Sequence, residues 1–120
     1  MIKLDLTIPP SVNNIWNPVY KGYKKAAMVR SPEYTSWLNL AGREILIQKP
    51  GCIEGKYELS ILFNEKIRGD LDNRIKPIND LLQKYKIIEN DSMNKSLHVK
   101  ISKNVAPGMC LVFVSEFLDI

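Results

Sequence analysis

The stretch of the chain that decides its fold is residues 57–85, which read YELSILFNEKIRGDLDNRIKPINDLLQKY. Its first part predicts a strand over residues 56–64, because apolar and polar side chains alternate there. Its last part predicts an amphipathic helix, because apolar residues recur at helical spacing and the proline falls in the first turn. A charged junction, residues 65–74, joins the two. The apolar positions are Tyr57, Leu59, Ile61 and Phe63 in the strand and Ile75, Ile78, Leu81, Leu82 and Tyr85 in the helix.

The N-terminal half predicts a strand, a long loop and a helix. Alternation from Ile2 to Ile8 predicts the strand, and residues 11–30 read as an irregular loop rich in turn formers. The helix begins at Ser31 with a serine cap, a proline and an acid, and Pro50-Gly51 stops it. Its apolar face comprises Tyr34, Trp37, Leu38, Ala41, Ile45 and Leu46.

The C-terminal third predicts two more strands. Ile87-Ile88 is a short apolar piece, and the alternation from Leu97 to Ile101 predicts the third strand. Residues 110–114 are apolar on both faces, which favours a central strand. The predicted order is β-α-β-α-β-β in a single domain over residues 1–120. This is the α+β class: a mixed or antiparallel four-stranded sheet with two helices.

Composition is that of one globular domain. The 120 residues are 45% hydrophobic and 25% charged, which excludes a disordered tail, a fibre and a repeat array. No apolar run approaches membrane-spanning length, and the first residues alternate where a signal peptide would be continuously apolar. Cys52 and Cys110 lie far apart and, with the single His98, supply too few ligands for structural zinc. We therefore expect reduced thiols in a cytoplasmic protein that contacts no membrane.

The net charge of +4 is unevenly distributed. No acid lies between Asp5 and Glu33, and basic residues interleave with aromatic ones in that gap. Such a segment suits a phosphate backbone, although a solvated surface loop would have the same composition. The basic residues are Lys21, Lys24, Lys25 and Arg30, and the aromatic ones are Trp16, Tyr20 and Tyr23.

The charged junction contains the residues best suited to metal binding and catalysis. Asp70 and Asp72 lie two residues apart, so in extended chain their carboxylates point to the same side. Mg²⁺ is the natural counter-ion, since it binds one or two carboxylates together with water and substrate phosphate. Lys76, one turn into the second helix, can reach the same place, and the piece 87–88 can bring Asp91 back beside Asp70.

Each of these residues also has a purely structural interpretation. Asp72 or Asn73 would be a good cap for the second helix, and Lys76 could pair with Asp72 or Asp80. Asp91 and its neighbour Asn90 could be turn formers alone. An EF-hand is excluded because Arg74 and Ile75 occupy two essential positions of its loop. We expect His98 at the surface and both cysteines to be inert.

Taken together, these residues resemble the RusA family of Holliday-junction resolvases, which are small endodeoxyribonucleases often carried by prophages. The resemblance rests on Asp70-Leu71-Asp72-Asn73, the spaced Lys76 and Asp91, and the segment Pro9-Pro10-Ser11-Val12-Asn13-Asn14. It implies that Asp70, Asp72 and Asp91 bind the metal, that Lys76 is catalytic, and that Mg²⁺ or Mn²⁺ is required. It also implies a homodimer that makes paired nicks across a four-way DNA junction during recombination and repair.

Three positions depart from the family pattern. Asn90 stands where an acid is common, Lys86 where a glycine ends the second helix, and Arg74 where an apolar residue is usual. None is one of the four implied catalytic residues. Arg74 either contacts phosphate or balances the charge of the acids.

Two functions from different classes follow. A metal-dependent nuclease needs cations to offset its acids, and Arg68 and Arg74 would do this together with the basic segment. The alternative is a non-catalytic DNA-binding accessory module of phage origin, in which the acids only cap helices. Metal-dependent sugar transfer through Asp-x-Asp is disfavoured, since 120 residues leave no room for a nucleotide-binding domain.

Overall fold

A computed structural model describes residues 1–11, 16–22 and 24–119, with the backbone alone for residues 16–21 and 24–29. Its strands are β1 (Ile2–Thr7), β2 (Trp16–Lys21), β3 (Lys24–Arg30), β4 (Tyr57–Asn64), β5 (Asn94–Ser102) and β6 (Met109–Glu116). Its α-helices are α1 (Pro32–Gln48) and α2 (Ile75–Lys84).

Four strands form one mixed sheet in the order β1-β6-β4-β5. β6 runs antiparallel to both of its neighbours, whereas β5 runs parallel to β4. A parallel pair needs a crossover connection, and α2 lies within it. The predicted α+β class, the element order β-α-β-α-β-β of the four-stranded sheet and its two helices, and the central position of the last strand are confirmed.

Both helices contribute to one core against one face of the sheet. The buried positions of α2 are those that its periodicity predicted, and Pro77 lies in its first turn. Leu46 is the exception on α1, because it is 64% exposed and the helix buries a narrower face than predicted. The largest wholly buried side chains are Tyr57, Phe63, Leu4, Leu6, Leu59, Ile61, Ile78, Leu81, Leu82, Ile88, Val112 and Val114.

Helix α1 begins and ends as the sequence predicts. The Oγ atom of Ser31 accepts from the Tyr34 amide at 3.2 Å, and Pro32 is the first helical residue. Lys49, in the left-handed region at φ 49°, closes the helix just before Pro50. A Cβ at Gly42 would overlap the ring of Tyr85, so glycine allows the end of α2 to lie directly against α1.

Side chains of α1 cover the free edge of β1. Gln48 donates to the carbonyl of Asp5 and accepts from its amide, both at 2.8 Å. Glu44 accepts from the Thr7 amide at 2.9 Å, and the Trp37 indole donates to the Thr7 carbonyl at 2.9 Å. These bonds replace those of a neighbouring strand, so this edge of the sheet is closed to pairing.

The predicted irregular loop over residues 11–30 is wrong for most of its length. β2 and β3 pair antiparallel as a separate two-stranded sheet, with Lys21 opposite Lys24. Gly22, at φ 65°, lies at the turn after β2, where a positive φ matches the twist of the strands. Pro18 is tolerated because a two-stranded ribbon has a free edge on each strand.

No α-helix in the described part of the chain is long and apolar enough to cross a membrane.

Candidate functional site

An open cavity of about 490 Å³ lies beside the first half of α2. Tyr57, the first residue of β4, donates to Asn79 of α2 at 2.6 Å, and the sheet register pairs Tyr57 with Asn94. The start of β5 is therefore held next to α2, and the cavity opens between them. Its polar lining residues are Asp72, Lys76, Asn79, Asp91, Asn94, Lys95 and Ser96.

Asp91 is fixed in this cavity through its backbone. It begins a one-turn 3₁₀ helix, Asp91–Met93, whose cap is Asn90: the Asn90 side chain accepts from the Ser92 amide at 2.9 Å. The Asp91 amide donates to the side chain of Gln83 on α2 at 2.9 Å. Asn90 therefore has a capping role that an acid would also fill, which accounts for one departure from the family pattern.

Tyr57, the first residue of β4, lies near enough to Asp91 for the two side chains to interact electrostatically. Its side chain is wholly buried, and this burial, together with the negative charge of Asp91, raises the pKa of Tyr57 to about 12. Tyr57 is thus a neutral hydrogen-bond donor at ordinary pH. Its bond to Asn79 links the core to the cavity.

Lys76 forms an ion pair with Asp80, with Nζ 3.6 Å from Oδ1. This is one of the two pairings that the helix spacing predicted. The lysine side chain is 69% exposed and the aspartate side chain 37%. The pair therefore lies in water at the rim, and the ammonium group remains free to contact a ligand in the cavity.

Asp72 lies in a 3₁₀ turn, Asp72–Arg74, that leads directly into α2. Neither this turn nor α2 has a side-chain cap, so the prediction that Asp72 or Asn73 caps the helix is wrong. Asp72 is exposed and lines the cavity. Its carboxylate has no structural partner among the described residues.

The structure brings Asp72, Lys76 and Asp91 to one cavity but leaves Asp70 out of its lining. Asp70 is exposed in the chain before the 3₁₀ turn. Within the described residues, no three acidic, histidine or cysteine side chains are close enough to hold a metal ion. Two of the three implied metal ligands therefore share the site.

Arg74 connects the junction to the N-terminal proline segment. Its guanidinium group donates to the carbonyl of Pro9 and, at 2.9 Å, to that of Arg68. Burial lowers its pKa, and its Nε atom is buried without a hydrogen-bond partner among the described residues. The structure thus gives Arg74 a structural role that joins the two segments carrying the resemblance.

The remaining basic residues are dispersed. Arg30 is exposed at the end of β3, with its guanidinium carbon 5.7 Å from the centre of the Tyr34 ring. Arg68 is exposed in the junction. Lys21, Lys24 and Lys25 belong to the hairpin, and their side chains lie outside the described part of the structure.

Lys86 is the residue for which a family glycine would be expected, and its φ is 59°. This is the left-handed conformation that glycine adopts without strain. α2 still ends normally, because the amides of Tyr85 and Lys86 bond to the carbonyls of Leu81 and Gln83. Lysine in place of glycine at position 86 therefore adds local backbone strain, but it does not disrupt the end of α2.

Sequence reasoning missed Asn79, Asn94 and Lys95, which all line the cavity. The Oδ1 atom of Asn94 is buried and has no hydrogen-bond partner in the part of the chain that the structure describes. Asn79 and Lys95 carried no signal beyond the surface of a helix and the start of a strand. Asn79 reaches the cavity because it lies one turn after Lys76 on α2, whereas the register of β5 against β4 brings Asn94 and Lys95 there.

The residues set aside as inert lie away from this cavity's lining. Cys110 is wholly buried on β6, and burial raises the pKa of its thiol to about 12. Cys52 is exposed, and His98 is exposed on β5 with Nε2 3.4 Å from the hydroxyl of Ser96.

No family model matches the chain, and no curated protein matches it significantly.

Proposed function

We propose that the protein is a magnesium-dependent endodeoxyribonuclease that resolves four-way DNA junctions by paired nicks, in the cytoplasm, during recombination or repair. The observation that carries this proposal is the convergence of Asp72, Lys76 and Asp91 on one open cavity. The resemblance to the RusA family gives all three a role, and the alternative role of Asp72 as a helix cap is excluded. Asp72 caps no helix, and Asn90 forms the cap in front of Asp91.

The donor set of the cavity fits a hard divalent cation. Two carboxylates are enough for Mg²⁺, which completes its shell with water and substrate phosphate. Asn94 adds an amide oxygen without a protein partner. Asp72 and Asp91 would hold the ion, or Mn²⁺ in its place, and when bound it supplies an activated water and neutralises phosphate charge.

The chain itself contributes binding and charge. The ammonium group of Lys76, at the rim of the cavity, would stabilise the negative charge that grows on the phosphate in the transition state. The hairpin lysines with Arg30 and Arg68 would bind the neighbouring phosphates. Because a four-way junction has two-fold symmetry and needs two cuts, a homodimer with two equivalent sites matches it.

The test is cleavage of a labelled four-way junction and of linear duplex of the same sequence, with Mg²⁺ or with chelator. We expect nicks in the junction with Mg²⁺ alone. Asp72→Asn and Asp91→Asn should abolish them and retain binding, whereas Asp119→Asn at the exposed C-terminus is the matched control. Asp70→Asn tests whether the acid outside the cavity lining is required.

One observation favours a non-catalytic DNA-binding module as the second candidate. Lys76 is paired with Asp80, and Asp70 lies outside the cavity lining. Such a module would bind the junction equally with chelator and would never nick it. Binding without cleavage in both Mg²⁺ and Mn²⁺ would therefore replace the first proposal with the second.

A further inference from the structure

The two edges of the four-stranded sheet differ, because side chains cover one of them and leave the other open. The edge at β1 is closed by side chains of Trp37, Glu44 and Gln48. The edge at β5 is open from Lys95 to Ser102: among the described residues outside the sheet, only Asp91 bonds to the backbone of β5, where its carbonyl accepts from the amide of Asn94. An open edge of this length is a template for another strand.

Apolar side chains continue onto this edge beyond the cover of the helices. Leu97 and Ile101 are 45% and 48% exposed, although they pair with the buried Leu59 and Phe63 of β4. Val99, between them, is half-buried. A second open cavity, of about 500 Å³, is lined by residues 97–100 of β5 together with Ser60 and Leu62 of β4. The edge therefore offers both unpaired backbone and unburied apolar surface.

We propose that β5 pairs antiparallel with β5 of a second copy, with His98 opposite His98 of that copy. This deepens the proposed function, on which it rests only for the expectation of two copies, by assigning the surface that joins them. The joined sheet has eight strands, with the helices of both copies on the same side. Antiparallel pairing across a two-fold axis is self-complementary, as an interface between identical chains requires.

The sequence of β5 selects this register. Centring the pair on His98 lets all nine residues of Asn94–Ser102 find partners. On the helix side, Leu97 lies opposite Val99 and Lys95 opposite Ile101. On the other side, Lys100 lies opposite Ser96, so no two lysines face each other.

The neighbouring registers are poorer. A pair centred on Val99 matches only residues 96–102 within the strands, and it places Lys95 opposite Lys103 just beyond the strand, which brings two like charges together. A pair centred on Leu97 matches only residues 94–100 within the strands. Lysines on an edge strand ordinarily discourage pairing with another strand. Here they are compatible with the register centred on His98 and oppose the register centred on Val99.

Cysteine cross-linking tests the register directly. In a Cys52→Ser background, His98→Cys places two thiols opposite each other across the axis, within reach of a disulfide. Lys100→Cys is the matched control, because its two copies would lie about 13 Å apart along the strands. We expect mild oxidation at low concentration to give a covalent dimer for His98→Cys alone. Cross-linking of Lys100→Cys, or of neither variant, would overturn the register.

A charge exchange tests the interface in solution. Ile101→Lys places a new lysine opposite Lys95 of the other copy, twice per dimer, and we expect it to weaken dimerisation by about tenfold or more in sedimentation equilibrium. Adding Lys95→Glu should restore the dimer. Ile47→Lys, on an exposed isoleucine of α1, should leave it unchanged, and melting curves report whether each variant folds.

Two results would refute the interface. One is a native chain that stays monomeric to about 100 µM, and the other is a dimer that Ile101→Lys does not weaken. A dimer of this kind in a protein that cleaves no junction would reject the proposed function and leave the interface standing. Capture of an extended peptide in place of a second copy would appear as a monomer whose β5 edge is protected only when that peptide is present.

Discussion

Replacing Lys76 with methionine separates a catalytic lysine from one that only forms an ion pair. Methionine keeps much of the stem and the helix propensity and deletes the charge. The matched control is Asp80→Asn, which breaks the same 3.6 Å pair from the other side and keeps the lysine charge. If the pair is the only role of Lys76, the two variants will behave alike.

The structure sets the magnitude of the ion-pair effect. Because both partners are more than a third exposed, the pair contributes at most about 0.5 kcal/mol to the free energy of unfolding. In a domain of this size, that loss corresponds to about 2 °C in the melting temperature. A charge that acts on the transition state is worth about 3 kcal/mol, or at least about a hundredfold in rate.

The assay is single-turnover cleavage of a four-way junction with saturating enzyme, together with junction affinity and thermal melting. We expect Lys76→Met to lose about a hundredfold or more in rate, with affinity and melting close to those of the native protein. Asp80→Asn should cleave at nearly the native rate. Equal rates for both variants would refute the catalytic role. A drop in rate, affinity and melting together would show that Lys76 holds the site in shape.

Three further predictions use other features of the structure. Lys86→Gly should raise the free energy of unfolding by about 0.5–1 kcal/mol in urea titrations because it relieves a left-handed conformation, whereas Lys84→Gly inside the last turn should lower it by about 1 kcal/mol. The pKa of Tyr57 is raised from 10 to about 12, so the folded state keeps a proton that the unfolded state loses, and stability falls as pH rises from 10 to 12. Between pH 10 and 12, the free energy of unfolding of Tyr57→Phe should therefore fall by about 1–2 kcal/mol less than that of the native chain. The same pH profile for both proteins would contradict the raised pKa of Tyr57. Reversal of Lys24 and Lys25 to glutamate should reduce the slope of log affinity against log salt by about one unit for each lost phosphate contact, and an unchanged slope would place the hairpin away from DNA.

The elements that the sequence predicted are those in which periodicity and end signals agree. Apolar spacing, a serine cap and the proline at the first position specify α1 locally, and the alternation of β4 identifies the core face of the central sheet. The β2–β3 hairpin was not predicted, because a proline at position 18 and closely spaced lysines are typical of a loop. The only local sign was Gly22, at which the chain turns.

The candidate site was predictable only in part, because two of its walls depend on strand register. The spacing from Asp72 to Lys76 follows from a turn leading into a helix, which is local information. The approach of Asp91 and Asn94 follows from the parallel pairing of β5 with β4, which no local pattern encodes. Asp70 was expected to join Asp72 because extended chain aligns alternate residues, but the chain enters a 3₁₀ turn at Asp72 and that alignment ends there.

The closure of β1 by α1 has a consequence for the size of any assembly built through the sheet. Gln48, Glu44 and Trp37 occupy the hydrogen-bonding groups with which a further strand would have to pair. A sheet that joins two chains at β5 would then present a closed β1 edge at each of its two ends. Growth through this sheet would then stop at two copies, so the open edge that permits association would not start a fibre.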